Sequence, residues 1–182
     1  MKDLLNVGII IGSTREGRVG PEVANWVKEI ADQRKDANFE IVDIKAFNLG
    51  LLGEKDQEKE VSNWNAKLAS LDAFIFVTGE YNHSIPASLK NALDLARDAW
   101  NNKSAGIVSY GSVSGARAAE HLRGILGELQ IADVRTHVAL SMFTDFENWS
   151  QFKPQDLHLT NLNTLFDQVL LWGKALKTVR QS

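Results

Sequence analysis

Strands and helices in alternation, arranged as one parallel sheet with helices on both faces, are what this sequence predicts. Three observations carry the prediction. An unbroken apolar run (Val7, Ile9, Ile10, Ile11) stops at Gly12 and passes through a polar loop into a helical pattern near Val19. Ala73 to Thr78, AFIFVT, has no polar alternation, as a strand buried on both faces requires. Apolar positions at helical spacing separate such runs along the chain, giving β-α-β-α-β-α-β-α-β-α.

The elements follow in order. Val19, Val23, Trp26, Val27 and Ile30 share one helical face, and Pro21 sits in a first turn where proline is tolerated, so a helix is expected from Val19 to Arg34. Phe39 to Ile44, aromatic and β-branched, reads as the second strand, and Lys45 to Asp56, with Gly50 and Gly53, as a loop. Val61, Trp64, Leu68 and Leu71 mark a second helix ahead of strand Ala73–Thr78. Pro86 opens a third helix, with Ser84 as its expected cap, Ile85, Leu89, Ala92, Leu93 and Ala96 as its apolar face, and Trp100 to Asn102 as its end. Lys103 to Tyr110 is the fourth strand, Gly111 to Gly115 a glycine-rich turn, and Ala116 to Leu129 a helix whose alanines allow close approach to a sheet. Val134 to Leu140 is the fifth strand, and Leu162 to Val179 line one side of the last helix. Ser141 to Gln155 carries Phe143, Phe146, Trp149 and Phe152 without a period, the mark of a functional or interface loop or of aromatics tucked on the core.

Composition narrows the functional classes. A chain of 182 residues, 44% hydrophobic and without linkers or repeats, reads as one domain, 1–182. A net charge of -3 with scattered arginines argues against nucleic acid as the main partner. Met1 to Asn6 lacks the features of a signal peptide, and no apolar run approaches the ~20 residues of a membrane span, so neither secretion nor a membrane is expected. The absence of cysteine excludes disulfides, thiol nucleophiles and thiolate metal sites and fits a cytoplasmic protein. His121, His137 and His158 have no ligand spacing and read as surface or satisfied core residues; the five tryptophans read as core or interface.

The loop after the first strand, Gly12 to Val19, joins a buried strand to a helix N-terminus and adds Arg15, Arg18, Ser13 and Thr14, a combination that favours a phosphate-like oxyanion. It is not a Walker A loop, because Arg18 and Val19 follow Gly17 where lysine and Ser/Thr would be needed. It lacks the third glycine of the dinucleotide fingerprint, and a phosphatase loop would need a cysteine. Two further loops, Gly79 to Ser84 and Gly111 to Gly115, follow strands of the same sheet and so emerge at the same carboxyl edge, where such sheets bind ligands. A phosphate at one end and a planar ring between the other two loops describes a mononucleotide. Spacing does not say which base.

GSTREGRVGPEVANWV, GEYNHSIPASLKNALD and SYGSVSGARAAEHLRGIL, in that order, closely resemble the NADPH-dependent FMN reductase family of azo, quinone and chromate reductases, over about residues 5 to 140. The resemblance implies a three-layer α/β/α flavodoxin-like fold with a five-stranded parallel sheet of order 2-1-3-4-5, and FMN and NAD(P)H as cofactors. The family's G-S-x-R-x-x-S phosphate loop falls on Gly12, Ser13, Arg15 and Arg18, with Val19 following; arginine stands at 18 where many members have serine, and Gly20 where asparagine is common. Its P-E-Y-N loop along the isoalloxazine becomes Gly79, Glu80, Tyr81 and Asn82, with His83 bordering the ring or pointing to solvent. Gly111, Ser112 and Gly115 fall on the loop at the pyrimidine end. The resemblance needs no acid–base residue, because the flavin itself accepts and gives the hydride.

It also implies a ping-pong oxidoreductase in which a nicotinamide reduces FMN and a small acceptor then takes its place: a quinone, azo dye, free flavin or metal oxyanion. A homodimer or homotetramer is implied too, through the helices that follow the second and third loops, with Leu89, Leu93, Trp100 and Leu122 either contacts there or packed on the sheet. The alternative is a flavodoxin-type electron-transfer or regulatory FMN protein without nicotinamide turnover, against which the modest -3 charge counts. Gly79, where the family has proline, is the clearest departure; a proline restored there is expected to stabilise the loop if its φ is compatible and its N–H unbonded, and otherwise to weaken FMN binding or shift the reduction potential.

Overall fold

A computed structural model describes residues 4–96 and 98–181. Five parallel strands, β1 (Leu5–Ile11), β2 (Ala37–Asp43), β3 (Ala73–Gly79), β4 (Lys103–Gly111) and β5 (Ile131–Ser141), lie in the order β2-β1-β3-β4-β5. The order implied by the resemblance is therefore the order found. The helices are α1 (Gly20–Asp32), α2 (Glu58–Ala69), α3 (Ala87–Asp94), α4 (Ala116–Glu128) and α5 (Leu157–Gln181). The central strand β3 is buried at every residue, which is what its uninterrupted AFIFVT run requires.

Alternation along β1 divides the core in two. Val7, Ile9 and Ile11 face a layer built from α1 and α5, with Val23, Val27, Leu165 and Val169; Ile10 faces α2, α3 and α4, with Trp64, Leu68, Leu89 and Leu122. Close approach of α5 to the sheet is set by Gly106, where a β-carbon would lie 2.5 Å from Leu165. The β4–β5 register shifts between Ala105 and Ile107, at the same glycine. β5 also begins three residues before the expected Val134, because Ile131 pairs with Lys103 and the otherwise unpromising Asp133 is tied to Arg123.

Three expectations are corrected. Helix α3 is not capped by Ser84: Pro86 holds the cap position without a side-chain bond, while Ser84 closes a turn with Tyr81 and contacts Nδ1 of His121 through its hydroxyl. The helix stops at Asp94, and Trp100 is reached through a short 3-10 turn, Asp98–Trp100, its indole donating to the Leu93 carbonyl at 3.1 Å. Leu89, Leu93, Trp100 and Leu122 are completely buried within the chain, so none of them forms a subunit surface.

The stretch 141–155 holds a small antiparallel hairpin, β6 (Phe146–Glu147) and β7 (Gln151–Phe152). Phe146 and Phe152 pack on each other and Phe152 meets Trp26 of α1 edge-on at 5.7 Å, whereas Phe143 and Trp149 are exposed. Its base is organised by Asp145, which is 1% exposed and accepts bonds from the Ser141 and Gln155 amides and lies 2.9 Å from Nε2 of His158.

Candidate functional site

The reversal of strand order between β1 and β3 opens a crevice at the carboxyl ends of the strands, and the loops after β1, β3, β4 and β5 surround it. A cleft of about 440 Å³ is lined there by Arg15, Gly17 and Val19, by Gly79 to Tyr81, by Tyr110 to Ser112, and by Met142 and Asn148 to Ser150. Six of the eleven candidate residues, Arg15, Val19, Glu80, Tyr81, Gly111 and Ser112, line it, and the fourth wall comes from the β6–β7 hairpin.

In the first loop, neither the Ser13 hydroxyl nor any backbone N–H from Ser13 to Val19 has an acceptor among the described residues. Such a row of unused donors beside the N-terminus of α1 suits an anion. Arg15 lies along the loop and closes it: Nε donates to the Tyr81 hydroxyl at 2.9 Å, Nη1 to the Glu16 carbonyl at 3.0 Å and Nη2 to the Gly17 carbonyl at 3.3 Å. Arg18 is placed differently. Its guanidinium forms a two-pronged pair with Asp43 at the end of β2 (2.7 and 2.5 Å) and donates to the Ser13 carbonyl. The hydrogen bonds it donates to Asp43 hold its pKa above the ordinary arginine value, so Arg18 braces the loop against β2 with its charge already matched.

The second loop turns tightly. Tyr81 and Ser84 exchange backbone bonds of 2.9 and 3.0 Å, and Asn82 and His83 between them both take left-handed φ, 47° and 69°, the geometry of a type I′ turn. Glu80 points inward, its side chain 5% exposed, onto Arg117 of α4: Arg117 Nε donates at 2.5 Å and the Arg117 amide at 3.2 Å. Burial alone would raise the Glu80 pKa, but the Arg117 pairing and the α4 amides outweigh it and hold it low. Glu80 therefore stays ionised and locks the loop to α4. His83 completes the cluster, its Nε2 accepting from Arg117 Nη1 at 2.8 Å.

The third loop is held from beneath. Ser109 donates to the Ser114 carbonyl at 2.6 Å, which spends its proton, so the 2.7 Å contact with His137 must be donated by Nε2–H of the imidazole. Burial, with Arg123 nearby, lowers the His137 pKa from 6.5 to about 4. The unfolded chain thus takes a proton on falling below pH 6.5 while the folded chain resists it. Stability should be full above pH 6.5 and decline as the pH falls toward 4, by roughly 1–3 kcal/mol after allowance for the half-buried ring. Urea unfolding across that range, with His137→Gln lacking the step, checks this.

Tyr110 was not singled out by sequence. Its ring is 7% exposed, lies against Gly79, and presents a hydroxyl without a partner among the described residues to the cleft. Burial raises its pKa, so it remains a donor. A β-carbon on Gly79 would stand 2.9 Å from Tyr110 Cε2, and one on Gly20 3.2 Å from its hydroxyl. This reverses the expectation for Gly79. Its φ is not left-handed, yet Gly79→Pro should cost about 1–3 kcal/mol, because the added β-carbon would stand inside contact distance of the buried Tyr110 ring. Thermal unfolding of that variant decides the sign.

The strand order, with a cleft at its switch point, defines a flavodoxin-like α/β protein. Residues 5–145 match the family described as NADPH-dependent FMN reductase, and the chain belongs to that family. It is 34% identical to an NAD(P)H-dependent FMN reductase of Schizosaccharomyces pombe over 146 residues, 75% of this chain and 73% of the relative. It is 29% identical over 98% of its length, and all of the relative's, to a quinone reductase of Pseudomonas putida. In three dimensions it is similar to FerB, a flavoenzyme NAD(P)H:(acceptor) oxidoreductase from Paracoccus denitrificans, with TM-score 0.76 and 18% identity over 94% of this chain and 98% of that one. A Fusobacterium nucleatum flavodoxin bound to flavin mononucleotide shares the fold at TM-score 0.55 and 15% identity, over 91% of this chain and 95% of that one. No helix among the described residues is long and apolar enough to cross a membrane, and no group of side chains there could hold a metal ion.

Proposed function

We propose that the chain binds one FMN in this cleft and carries electrons from NAD(P)H to a small acceptor such as a quinone, an azo compound or free flavin. The observation that carries the reading is the row of unused donors from Ser13 to Val19 opening into a cleft floored by Gly79 and Gly111. A phosphate fits the first and a flat ring the second. A β-carbon at Gly111 would stand 3.2 Å from both Glu80 Cβ and the Gly115 amide, so bare backbone there is needed for the loops to lie together beside a ring.

FMN, when bound, supplies the redox chemistry, accepting a hydride from the nicotinamide and returning it to the acceptor. The chain's own residues bind and orient. Ser13, the Val19 amide and Arg15 take the phosphate; Arg18 keeps the loop in shape through Asp43. The backbone of Glu80, Tyr81, Asn82 and His83 borders one edge of the ring, and Gly111, Ser112 and Gly115 the other. Tyr110 donates its unpaired hydroxyl to the ligand. With Glu80 ionised and committed to Arg117, no side chain is assigned a proton-transfer role.

The test is direct. Purified protein should be yellow, should release FMN and not FAD on acid treatment, and should bleach with NADPH under nitrogen. Flavin that NADPH leaves oxidised would favour a carrier of the flavodoxin type; FAD in the extract would overturn the single-phosphate reading. We also infer a homodimer through the groove of about 560 Å³ between α3 and α4, whose walls include Lys90, Asp94, Glu120, Ile125 and Leu129. Light scattering at micromolar concentration should give twice the chain mass, and a monomer would refute it.

A further inference from the structure

We propose that Trp149, propped by Phe143, is the stacking surface for a planar aromatic ring in the cleft. The proposal rests on the flavin reading above and names a residue that lies outside the family match, which ends at 145.

Trp149 lines the cleft together with Asn148 and Ser150, yet is 57% exposed, and Phe143 is 64% exposed. Their rings meet edge to face, centroids 4.7 Å apart and planes at 72°, so Phe143 braces the indole on one side only. Two exposed aromatic rings are not held in place by core packing. The backbone holds them. Ser150 donates to the Glu147 carbonyl at 3.2 Å, and Asn148 and Trp149 between them have φ of 51° and 61°. Both central positions of this I′ turn call for left-handed residues, which Asn tolerates and Gly prefers; a tryptophan is a poor choice for turn stability. Backbone strain of this kind collects where a residue serves a ligand.

The frame below the turn is rigid. Asp145 gathers the Ser141, Gln155 and His158 bonds at its base, the Lys153 amide donates to the Asp145 carbonyl at 2.8 Å, and the Phe152 amide donates to Glu22 of α1 at 3.2 Å. The indole is therefore presented from a fixed wall of the cleft that Gly79 and Gly111 also line. A flat ring between that wall and the glycine floor gains stacking on the indole. The ring is a quinone or nicotinamide held as second substrate, or the flavin itself; the two sources share this chemistry and differ in what the variant loses.

The experiment compares Trp149→Ala, Trp149→Phe and Trp149→Gly in the flavin-loaded protein, with menadione as a ring-bearing acceptor and ferricyanide as a ringless one. Trp149→Ala should raise KM for menadione or for NADPH three- to ten-fold, leave KM for ferricyanide and the FMN dissociation constant unchanged, and be rescued by Trp149→Phe. If the stacked ring is the flavin, the FMN dissociation constant rises by that factor instead and ring-bearing and ringless acceptors are affected alike. Trp149→Gly should melt at higher temperature than the parent while showing the same binding loss. Values of KM and FMN affinity all within two-fold of the parent in Trp149→Ala would overturn the proposal. A parent protein that binds FMN but does not oxidise NADPH would sink the enzymatic reading alone, and the FMN arm would still decide this one.

Discussion

Alanine at Arg15 is expected to weaken FMN binding about ten- to hundred-fold, the equivalent of losing a charge-assisted contact of ~1.5–3 kcal/mol. Two separate losses contribute. The phosphate loses the one arginine of the loop whose charge is not already matched by a carboxylate, since Arg18 is paired with Asp43. The empty loop also loses its internal tie, because Arg15 joins the Tyr81 hydroxyl to the Glu16 and Gly17 carbonyls before any ligand arrives. Titrating apoprotein with FMN and following flavin fluorescence measures the sum. Arg15→Lys separates the parts: it keeps the charge but not the planar fork, and should recover only a portion of the affinity. An unchanged dissociation constant in Arg15→Ala would mean that the anion is held by backbone alone.

Gly115→Ala should be the most damaging single methyl in the site. Gly115 has φ of +69°, and an added β-carbon would stand 2.7 Å from Ser109 Cβ and 2.8 Å from the Tyr110 amide nitrogen, a backbone atom that has no freedom to move aside. Left-handed strain and overpacking together cost roughly 2–5 kcal/mol. For a chain of this size that lowers Tm by about 5–15 °C. The same substitution at Gly127, twelve residues on in the last turn of α4, meets nothing within 4 Å and should stabilise α4 by about 0.5–1 kcal/mol. Calorimetry of the pair tests whether position, and not glycine loss as such, sets the effect. The Gly115 variant should also lose flavin, because Ser109, Ser114 and His137 are the support beneath its loop.

The different legibility of the parts has physical causes. Arg15 and Gly115 could be singled out by sequence, because a strand–loop–helix junction and a glycine before a helical pattern are local signals. The partner of Arg18 could not be read from the loop alone: Asp43 lies 25 residues away, at the end of a neighbouring strand. Tyr110 and Trp149 gave no local sign of lining a cleft, since a tyrosine ending a strand and an aromatic in an irregular stretch are both ordinary core patterns. Ser84 misled for the opposite reason, being a good capping residue that a competing turn with Tyr81 had already engaged.

What the sequence by itself determined is the set of strands, the helical faces and the three loops, because burial periodicity and turn chemistry act over a few residues. From these came the parallel sheet, its ligand edge and, through the motif resemblance, the family. What only the tertiary structure decided is which groups meet across that edge: that Arg18 is spent on Asp43 and Glu80 on Arg117, that the ring of Tyr110 forbids a side chain on Gly79, and that the hairpin after β5 closes the fourth wall with Trp149. These pairings depend on strand order and register, which bring together residues tens of positions apart, and no local periodicity encodes them.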